Sequence, residues 1–193
     1  MTPTALRRVL LALVGTGPAP DLSALAERDW QALDRLAAQH RLQPLLHFQH
    51  RENPHIPLAV SAGWAAAYRA QAMLALSQRA ELHRTVALLR RAGLAPLALK
   101  GAWLGSHAYP HPALRPLRDI DLLLDSGSVV AGFEVLGAAG YRQIEPTALA
   151  LADLIRTDKH LPPLFSPGGT VVELHHRLWE PDGRLDHASP LEI

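Results

Sequence analysis

Two acidic residues, Asp119 and Asp121, stand one residue apart inside a short apolar stretch. In a β-strand this spacing places both carboxylates on one face of the sheet, while Ile120 and Leu122 point to the opposite face. Two carboxylates held together near a core repel each other unless a cation neutralises them, and Mg²⁺ prefers carboxylates together with substrate phosphates. Taken alone, the Asp-x-Asp pattern still favours a solvated strand end, because so short a motif is common.

A third acid, Glu173, lies within the apolar run Val171–His175. A charged group in a run typical of a central strand requires a partner, since an unpaired buried charge is costly. If this strand pairs beside the strand of Asp119 and Asp121, the three carboxylates form a cluster for two metal ions about 3.5–4 Å apart, as in phosphoryl chemistry. Asp119, Asp121 and Glu173 are therefore the predicted catalytic residues and metal ligands.

A lysine, a glycine and two arginines precede the aspartates and are candidates for phosphate binding. Lys100-Gly101 stands where a strand is expected to give way to a helix, so its ammonium group and the free N–H groups of the helix start suit phosphate oxygens. A surface lysine beside a turn is the commoner origin of so short a motif. Arg115 and Arg118 suit phosphate contacts and ion pairs with the carboxylates equally well.

The two histidines next to Glu173, His175 and His176, are expected on opposite faces of their strand. His175 shares a strand face with Glu173, whereas His176 points to the other face, so only His175 can join the site. Because adjacent histidines on a strand diverge, a zinc site is disfavoured. Three aromatic side chains flank the motifs, and for each we expect buried packing rather than stacking on a base. They are Trp103, Tyr109 and Trp179.

Helical periodicity dominates the chain before Gly93. The predicted helices span 25–37, 44–49 and a stretch from residue 58 or 61 to 91. Asp21 or Ser23 is the expected cap of the first helix, and Gly93 is placed to end the last. Prolines mark 52–57 as a linker, because residues before proline avoid helical geometry.

The apolar run 9–14 follows two arginines and superficially resembles a signal peptide. The run is short, ends in a Gly-Thr-Gly-Pro turn and lacks a convincing cleavage site. We therefore expect a short amphipathic helix there, and no stretch is long enough to span a bilayer.

Beyond Gly93, short apolar runs alternate with helical segments and turn signals, which is typical of an α/β arrangement. The predicted strands are 97–99, 120–124 and 141–144, with a hairpin of 161–165 and 170–178 that turns at Gly168-Gly169. The predicted helices are 101–108, 129–139 and 148–155. The sequence thus predicts an α+β (α/β) fold in which a helical region, 1–92, packs on a catalytic core, 93–193.

Composition bounds the function only loosely. The 193 residues are 48% hydrophobic and 19% charged, which is typical of a globular protein. A formal net charge of +1 provides no general basic field for nucleic acid or anionic membranes, although nucleic acid is not excluded as a partner. The absence of cysteine excludes disulfides and thiolate metal sites and is compatible with a reducing cytoplasm, where we expect the protein.

Several of these segments together resemble a known family. Leu99-Lys100-Gly101, Tyr109-Pro110 and the run from Arg115 to Leu124 resemble the signature of the uncharacterised nucleotidyltransferase family, within the DNA polymerase β-like superfamily. Glu173-Leu174-His175 resembles its later acid-x-His strand. Trp30 with the segment 37–46 resembles its N-terminal helical region, so the similarity covers roughly residues 23–179.

The resemblance implies a mixed sheet with flanking helices and a divalent ion, Mg²⁺ or alternatively Mn²⁺, bound by Asp119, Asp121 and Glu173. It implies transfer of a nucleoside monophosphate from an NTP, foremost ATP, to a small molecule, a protein or RNA, with release of pyrophosphate. No membrane partner is expected. The nucleotide-binding residues that it implies are Lys100, Gly101, Arg115, Arg118 and His175.

Two departures from the superfamily pattern motivate an alternative. Relatives usually carry Gly-Ser or Gly-Gly at the start of the phosphate-binding helix, where this chain has Lys100-Gly101, with Gly105-Ser106 further along. Relatives also tend to continue with further helices after the acid-x-His strand, and a truncated form of the core is one interpretation of this difference. The alternative function is a catalytically degenerate nucleotide-binding or regulatory module. A phosphodiesterase or nuclease using the same ions with water as nucleophile is a weaker third option.

Overall fold

Helices form the first of the two units into which the chain divides. The computed structural model describes residues 1–144 and 149–179. Unit 1 comprises Met1–Ala75 and Tyr109–Pro116, and unit 2 comprises Leu76–Ala108 and the described part of Leu117–Ile193. Helices α1 (Pro3–Leu13), α2 (Glu27–Gln39) and α3 (Gln43–His50) belong to unit 1, as does a 3-10 turn at Pro112–Leu114, and α4 (Leu58–Arg91) runs through both units.

The apolar residues of unit 1 recur at helical spacing and meet in one core. Trp30, Leu33 and Ala37 line one side of α2 and are buried. The predicted cap of this helix is wrong, because Asp21 and Ser23 hydrogen-bond to each other at 2.6 Å and α2 begins later, at Glu27. The predicted helices of the first half of the chain are otherwise confirmed, with shifted ends.

Unit 2 contains a five-stranded mixed sheet among its described residues. Its strands are β1 (Leu97–Ala98), β2 (Asp119–Leu123), β3 (Arg142–Gln143), β4 (Leu164–Phe165) and β5 (Val171–His175), in the order β1-β2-β5-β4-β3. Only β2 and β5 pair in parallel, and the other pairs are antiparallel. Helices α5 (Lys100–His107), α6 (Val129–Ala138) and α7 (Leu151–Thr157) follow β1, β2 and β3. The predicted α+β fold is confirmed.

The helix before the predicted hairpin differs from its predicted bounds, whereas the hairpin itself agrees with the prediction. Ala148, the predicted start of the helix before the hairpin, lies outside the described residues, and α7 begins at Leu151. The predicted hairpin is confirmed as β4 and β5, and Gly169 in its turn has φ +80°, a backbone conformation that glycine adopts without strain.

One face of the central strands forms the core of unit 2. Ile120 and Leu122 of β2 are fully buried with Val172 and Leu174 of β5. Helix α6 approaches this layer closely at Gly132, where an added Cβ would lie 2.5 Å from Leu124 Cδ1. The core thus fixes one face of β2 and β5 and leaves the other face to polar groups.

A cluster of three buried polar side chains links α4 to the segment before β3. The hydroxyl of Tyr141 donates to a carboxylate oxygen of Glu81 and lies 3.0 Å from Thr85 Oγ1. Thr85 in turn donates to the carbonyl oxygen of Glu81 at 2.9 Å. Burial, together with the hydrogen bond to Glu81, raises the pKa of Tyr141 from its ordinary 10.0 to about 12.

Within residues 1–144 and 149–179, none of the helices combines the length with the apolar character needed to cross a bilayer.

Candidate active site

The parallel pairing of β2 and β5 brings the predicted acids to neighbouring strands. Asp121 lies directly opposite Glu173, Asp119 lies opposite Val171, and Leu123 lies opposite His175. Because side chains alternate between the faces of a strand, both aspartates share the polar face with Glu173 and His175. The expected pairing of the Glu173 strand beside the Asp119 strand is therefore observed.

Asp121 is the most buried of the three acids, with 2% of its surface exposed. Its Oδ1 accepts hydrogen bonds from Lys100 Nζ at 2.6 Å and from His175 Nε2 at 2.7 Å. Burial acts to raise the pKa of Asp121, but these two hydrogen bonds and the charge of Lys100 outweigh it and hold the pKa below its ordinary value. Asp121 is therefore held as a carboxylate.

Glu173 is half-buried and faces two imidazole rings. Its Oε2 lies 3.4 Å from His175 Nε2 and 4.0 Å from His160 Nε2. The interaction with His175, which outweighs burial, lowers the pKa of Glu173. Burial in turn acts to lower the pKa of His175, but its contacts with Asp121 and Glu173 prevail and raise it.

At Asp119 the effects that raise the pKa outweigh those that lower it. Burial raises the pKa of Asp119, and repulsion from Asp121 and Glu173 raises it further, against a smaller opposing effect of Lys100. Three carboxylates thus share one polar face with a single lysine ammonium group close by. A divalent cation fits this excess of negative oxygen atoms.

The spacing of the possible ligand atoms also fits a metal ion. In the described part of the chain, one ligand atom each from Asp121, Glu173 and His175 lie within 4.8 Å of one another. Asp119 does not belong to this closest set, although its place two residues before Asp121 in β2 puts it on the same face of the sheet. The donors are mainly carboxylate oxygens, which Mg²⁺ and Mn²⁺ both accept.

Lys100 and Gly101 are positioned by the edge of the sheet. The backbone N–H of Leu99 donates to the backbone carbonyl oxygen of Asp121 at 3.0 Å. This bond holds the start of α5 beside the buried acid. Lys100 has φ +46°, and its ammonium group turns back to Asp121. A Cβ at Gly101 would lie 2.5 Å from Leu117 Cδ2, so packing alone accounts for the glycine.

The two predicted arginines differ in their surroundings. Arg118 is exposed directly before β2 and pairs with no carboxylate among the described residues. Arg115 belongs to unit 1, and its buried Nε has no hydrogen-bond partner in the described chain. Neither arginine forms the ion pair that was the alternative to phosphate binding, as far as the described residues extend.

The three flanking aromatic side chains are exposed, although the sequence predicts that they are buried. Trp103, Tyr109 and Trp179 are 47%, 38% and 56% exposed, so the expectation of buried packing is wrong for all three. On α5 the indole of Trp103 stacks on the ring of His107 at 4.6 Å with an interplanar angle of 8°. Trp103 is exposed because the small residues Gly101, Ala102 and Gly105 supply the buried side of this short helix.

Sequence reasoning missed one neighbour of the acids, His160. It lies between α7 and β4, forms an isolated antiparallel bridge with His175 and packs edge-on against the His175 ring. The period of two predicts side-chain directions only within a strand, and His160 lies outside the predicted strands. The available signal was a polar triplet, Asp158-Lys159-His160, placed directly before an apolar run.

Comparison with known protein families identifies the family of this chain. The family model described as uncharacterised nucleotidyltransferase matches residues 26–192, which is most of the chain. No curated protein and no solved structure matches the chain. Because the match extends over well more than half of its residues, the chain belongs to the uncharacterised nucleotidyltransferase family.

Proposed function

We propose that the protein is a nucleotidyltransferase that depends on Mg²⁺, with Mn²⁺ as the alternative ion, and transfers a nucleoside monophosphate from an NTP to an acceptor with release of pyrophosphate. The observation that carries the proposal is the register of β2 and β5, which sets Asp121 opposite Glu173 with Asp119 on the same face. ATP is the NTP that we propose, and the acceptor is a small molecule, a protein or RNA. The cysteine-free sequence suits a reducing compartment, and we place the reaction in the cytoplasm.

Asp119, Asp121 and Glu173 would hold the divalent ion. When bound, such an ion neutralises phosphate charge and favours the ionised form of an attacking hydroxyl. The protein then contributes mainly position and electrostatics. His175 keeps the carboxylates of Asp121 and Glu173 oriented through its Nε2–H.

In this proposal the basic residues bind the phosphate groups of the nucleotide. Lys100 neutralises Asp121 in the protein alone, and we propose that its ammonium group contacts the triphosphate when the nucleotide binds. Arg118 is exposed directly before Asp119, and its planar guanidinium group can donate two hydrogen bonds to phosphate oxygens. Gly101 and Arg115 remain predicted nucleotide-binding residues.

The test is NTP turnover by the full chain, followed as pyrophosphate release with labelled nucleotides and a cell extract as the source of acceptor. Asp119→Asn and Asp121→Asn should each abolish turnover while the thermal unfolding transition stays cooperative. Asp153→Asn, which changes a partly exposed acid that pairs with Arg156 on α7, is the matched control and should retain turnover. Undiminished turnover in both site variants would refute the proposal.

A metal-independent regulatory module is the second candidate. It is favoured by the contact between Lys100 and Asp121, since an ammonium group already neutralises this acid without an ion. Calorimetric titration of Mg²⁺ with a non-hydrolysable NTP separates the two functions. Nucleotide binding that requires Mg²⁺ supports the enzyme, whereas binding without Mg²⁺ supports the module.

A further inference from the structure

Two histidine rings flank Glu173, and their hydrogen bonds assign them different protonated nitrogens. His175 Nε2 lies 2.7 Å from Asp121 Oδ1. Since an ionised carboxylate only accepts hydrogen bonds, Nε2 of His175 carries the proton and donates it. In the neutral ring the lone pair is then on Nδ1, which is buried without a hydrogen-bond partner among the described residues, and in the charged ring Nδ1 carries a second proton. In either state His175 presents a donor, not a lone pair, to the carboxylates.

His160 has the opposite arrangement. Its Nδ1 lies 2.9 Å from the carbonyl oxygen of Leu161, and a carbonyl oxygen can only accept, so Nδ1 carries the proton. The lone pair of neutral His160 is therefore on Nε2, which lies 4.0 Å from Glu173 Oε2. Histidines that bind metals almost always donate their other ring N–H to a carbonyl or carboxylate in this way.

Asp158 also lies near His160, with its Oδ1 4.0 Å from Nε2. This oxygen already accepts hydrogen bonds from the backbone N–H groups of Lys159 and His160, at 2.7 and 3.5 Å. Asp158 thus shapes the turn that presents His160. In neutral His160, Nε2 and Glu173 Oε2 are thus two acceptor atoms 4.0 Å apart, an arrangement that a cation stabilises.

We propose that His160 Nε2 is a ligand of the divalent ion beside Glu173, and that His175 is a positioning residue that donates to Asp121 and Glu173. This inference rests on the proposed function, because it assigns a further ligand to the ion invoked there. Two ligand bonds of about 2.1 Å reach across at most about 4.2 Å, so the separation of His160 Nε2 from Glu173 Oε2 lies within the span of one ion.

An imidazole ligand changes which ions the site favours. Mg²⁺ prefers oxygen ligands, whereas first-row transition ions bind imidazole nitrogen readily, and Mn²⁺ accepts the oxygen ligands as well. His160 therefore raises the affinity for Mn²⁺ relative to Mg²⁺. His160 is only partly buried, so its replacement leaves the core of unit 2 intact.

The test uses the full chain with Mn²⁺ alone and with no nucleotide. Pulsed electron paramagnetic resonance detects the coupling of a bound imidazole nitrogen to Mn²⁺, and titration calorimetry gives the Mn²⁺ and Mg²⁺ affinities. The variant is His160→Gln. The matched control is His107→Gln, because His107 Nδ1 makes the same kind of bond, at 2.8 Å to Trp103 O, on an exposed helix face.

The wild type and His107→Gln should both show the nitrogen coupling. His160→Gln should lose it and bind Mn²⁺ about ten-fold or more weakly, with a much smaller change for Mg²⁺. Retention of the coupling and of Mn²⁺ affinity in His160→Gln overturns this inference, and so does Mn²⁺ binding without nitrogen coupling in the wild type. Both results leave NTP turnover, and with it the proposed function, untouched. A wild type that binds no divalent ion overturns the inference and the proposed function together.

Discussion

Asp121 of β2 lies directly opposite Glu173 of β5, and the Nε2 of one imidazole, His175, lies 2.7 Å from the first carboxylate and 3.4 Å from the second. The two acids are 52 positions apart in the sequence numbering, and only the parallel pairing of their strands brings them together. His175 N–H and Lys100 Nζ hold the Asp121 carboxylate in its ionised form. Charge at this position is thus maintained by contacts that reach it from β5 and α5.

Glu173→Gln should weaken divalent-ion binding and lower turnover by at least about 10²-fold, equivalent to roughly 2.7 kcal/mol. The amide keeps the shape of the side chain and can still accept from His175, but it lacks the charge that attracts the ion. Titration calorimetry with Mg²⁺ or Mn²⁺ and a pyrophosphate-release assay measure the two effects. Glu134→Gln, an exposed acid on α6, is the control and should change neither. Equal ion affinity in both variants would remove Glu173 from the predicted ligands.

Lys100→Met should shift the acid limb of the pH-rate profile to higher pH. The ammonium group of Lys100 helps to lower the pKa of Asp121, so its removal lets burial raise that pKa. At a given mildly acidic pH more Asp121 is then protonated, and less of the protein can bind the ion. Lys100→Arg keeps a cation and should retain more of the original profile. The comparison requires kcat/KM across the acid range, and an unshifted limb in Lys100→Met would contradict it.

Gly132→Ala and Gly137→Ala form a matched pair on α6. An added Cβ at Gly132 would lie 2.5 Å from Leu124 Cδ1 and 3.4 Å from Leu89 Cδ2, whereas nothing lies within 4 Å at Gly137. Since Leu124 and Leu89 are buried core residues, Gly132→Ala should destabilise the fold by about 1–3 kcal/mol. Gly137→Ala should stabilise it by about 0.4–1 kcal/mol through reduced entropy of the unfolded chain. Urea unfolding measures both, and equal effects would show that the core accommodates the methyl group.

The residues of β2 show what sequence could predict. Alternation of apolar and acidic residues fixed the faces of Asp119 and Asp121, because the period of two is a local property of a strand. Glu173 was placed beside them from its presence in an apolar run, and the parallel pairing of β2 and β5 is observed. The contact of Lys100 with Asp121 could not be foreseen, since it depends on the left-handed backbone at residue 100.

His160 and Trp103 show why the remainder was missed. His160 approaches Glu173 through a turn shaped by Asp158 and an isolated bridge to His175, and no periodic pattern encodes such a turn. The sequence predicts buried packing for Trp103 as an aromatic side chain, but the buried side of α5 is made of small residues. Residue type alone does not determine which side of a short helix is buried, because neighbouring elements decide it.

Tyr141→Phe should change how stability depends on pH in the alkaline range. The pKa of Tyr141 is about 12 in the folded protein against an ordinary 10.0, so between these values the unfolded chain loses a proton that the folded protein keeps. The folded state then binds more protons, and its stability falls as the pH rises. The stabilisation is fully present below about pH 10 and is lost towards pH 12, by up to about 2–3 kcal/mol.

Urea unfolding of the wild type and Tyr141→Phe at several pH values from about 9 to 11.5 isolates this effect. Near neutral pH the wild type should be more stable by about 1–3 kcal/mol, because the variant leaves the buried Glu81 without its donor. That advantage should shrink above about pH 10, since only the wild type carries the titrating hydroxyl. Tyr109→Phe, which changes an exposed tyrosine, should follow the wild type throughout. A constant difference between the wild type and Tyr141→Phe across this range would show that the folded protein does not protect the hydroxyl from ionisation.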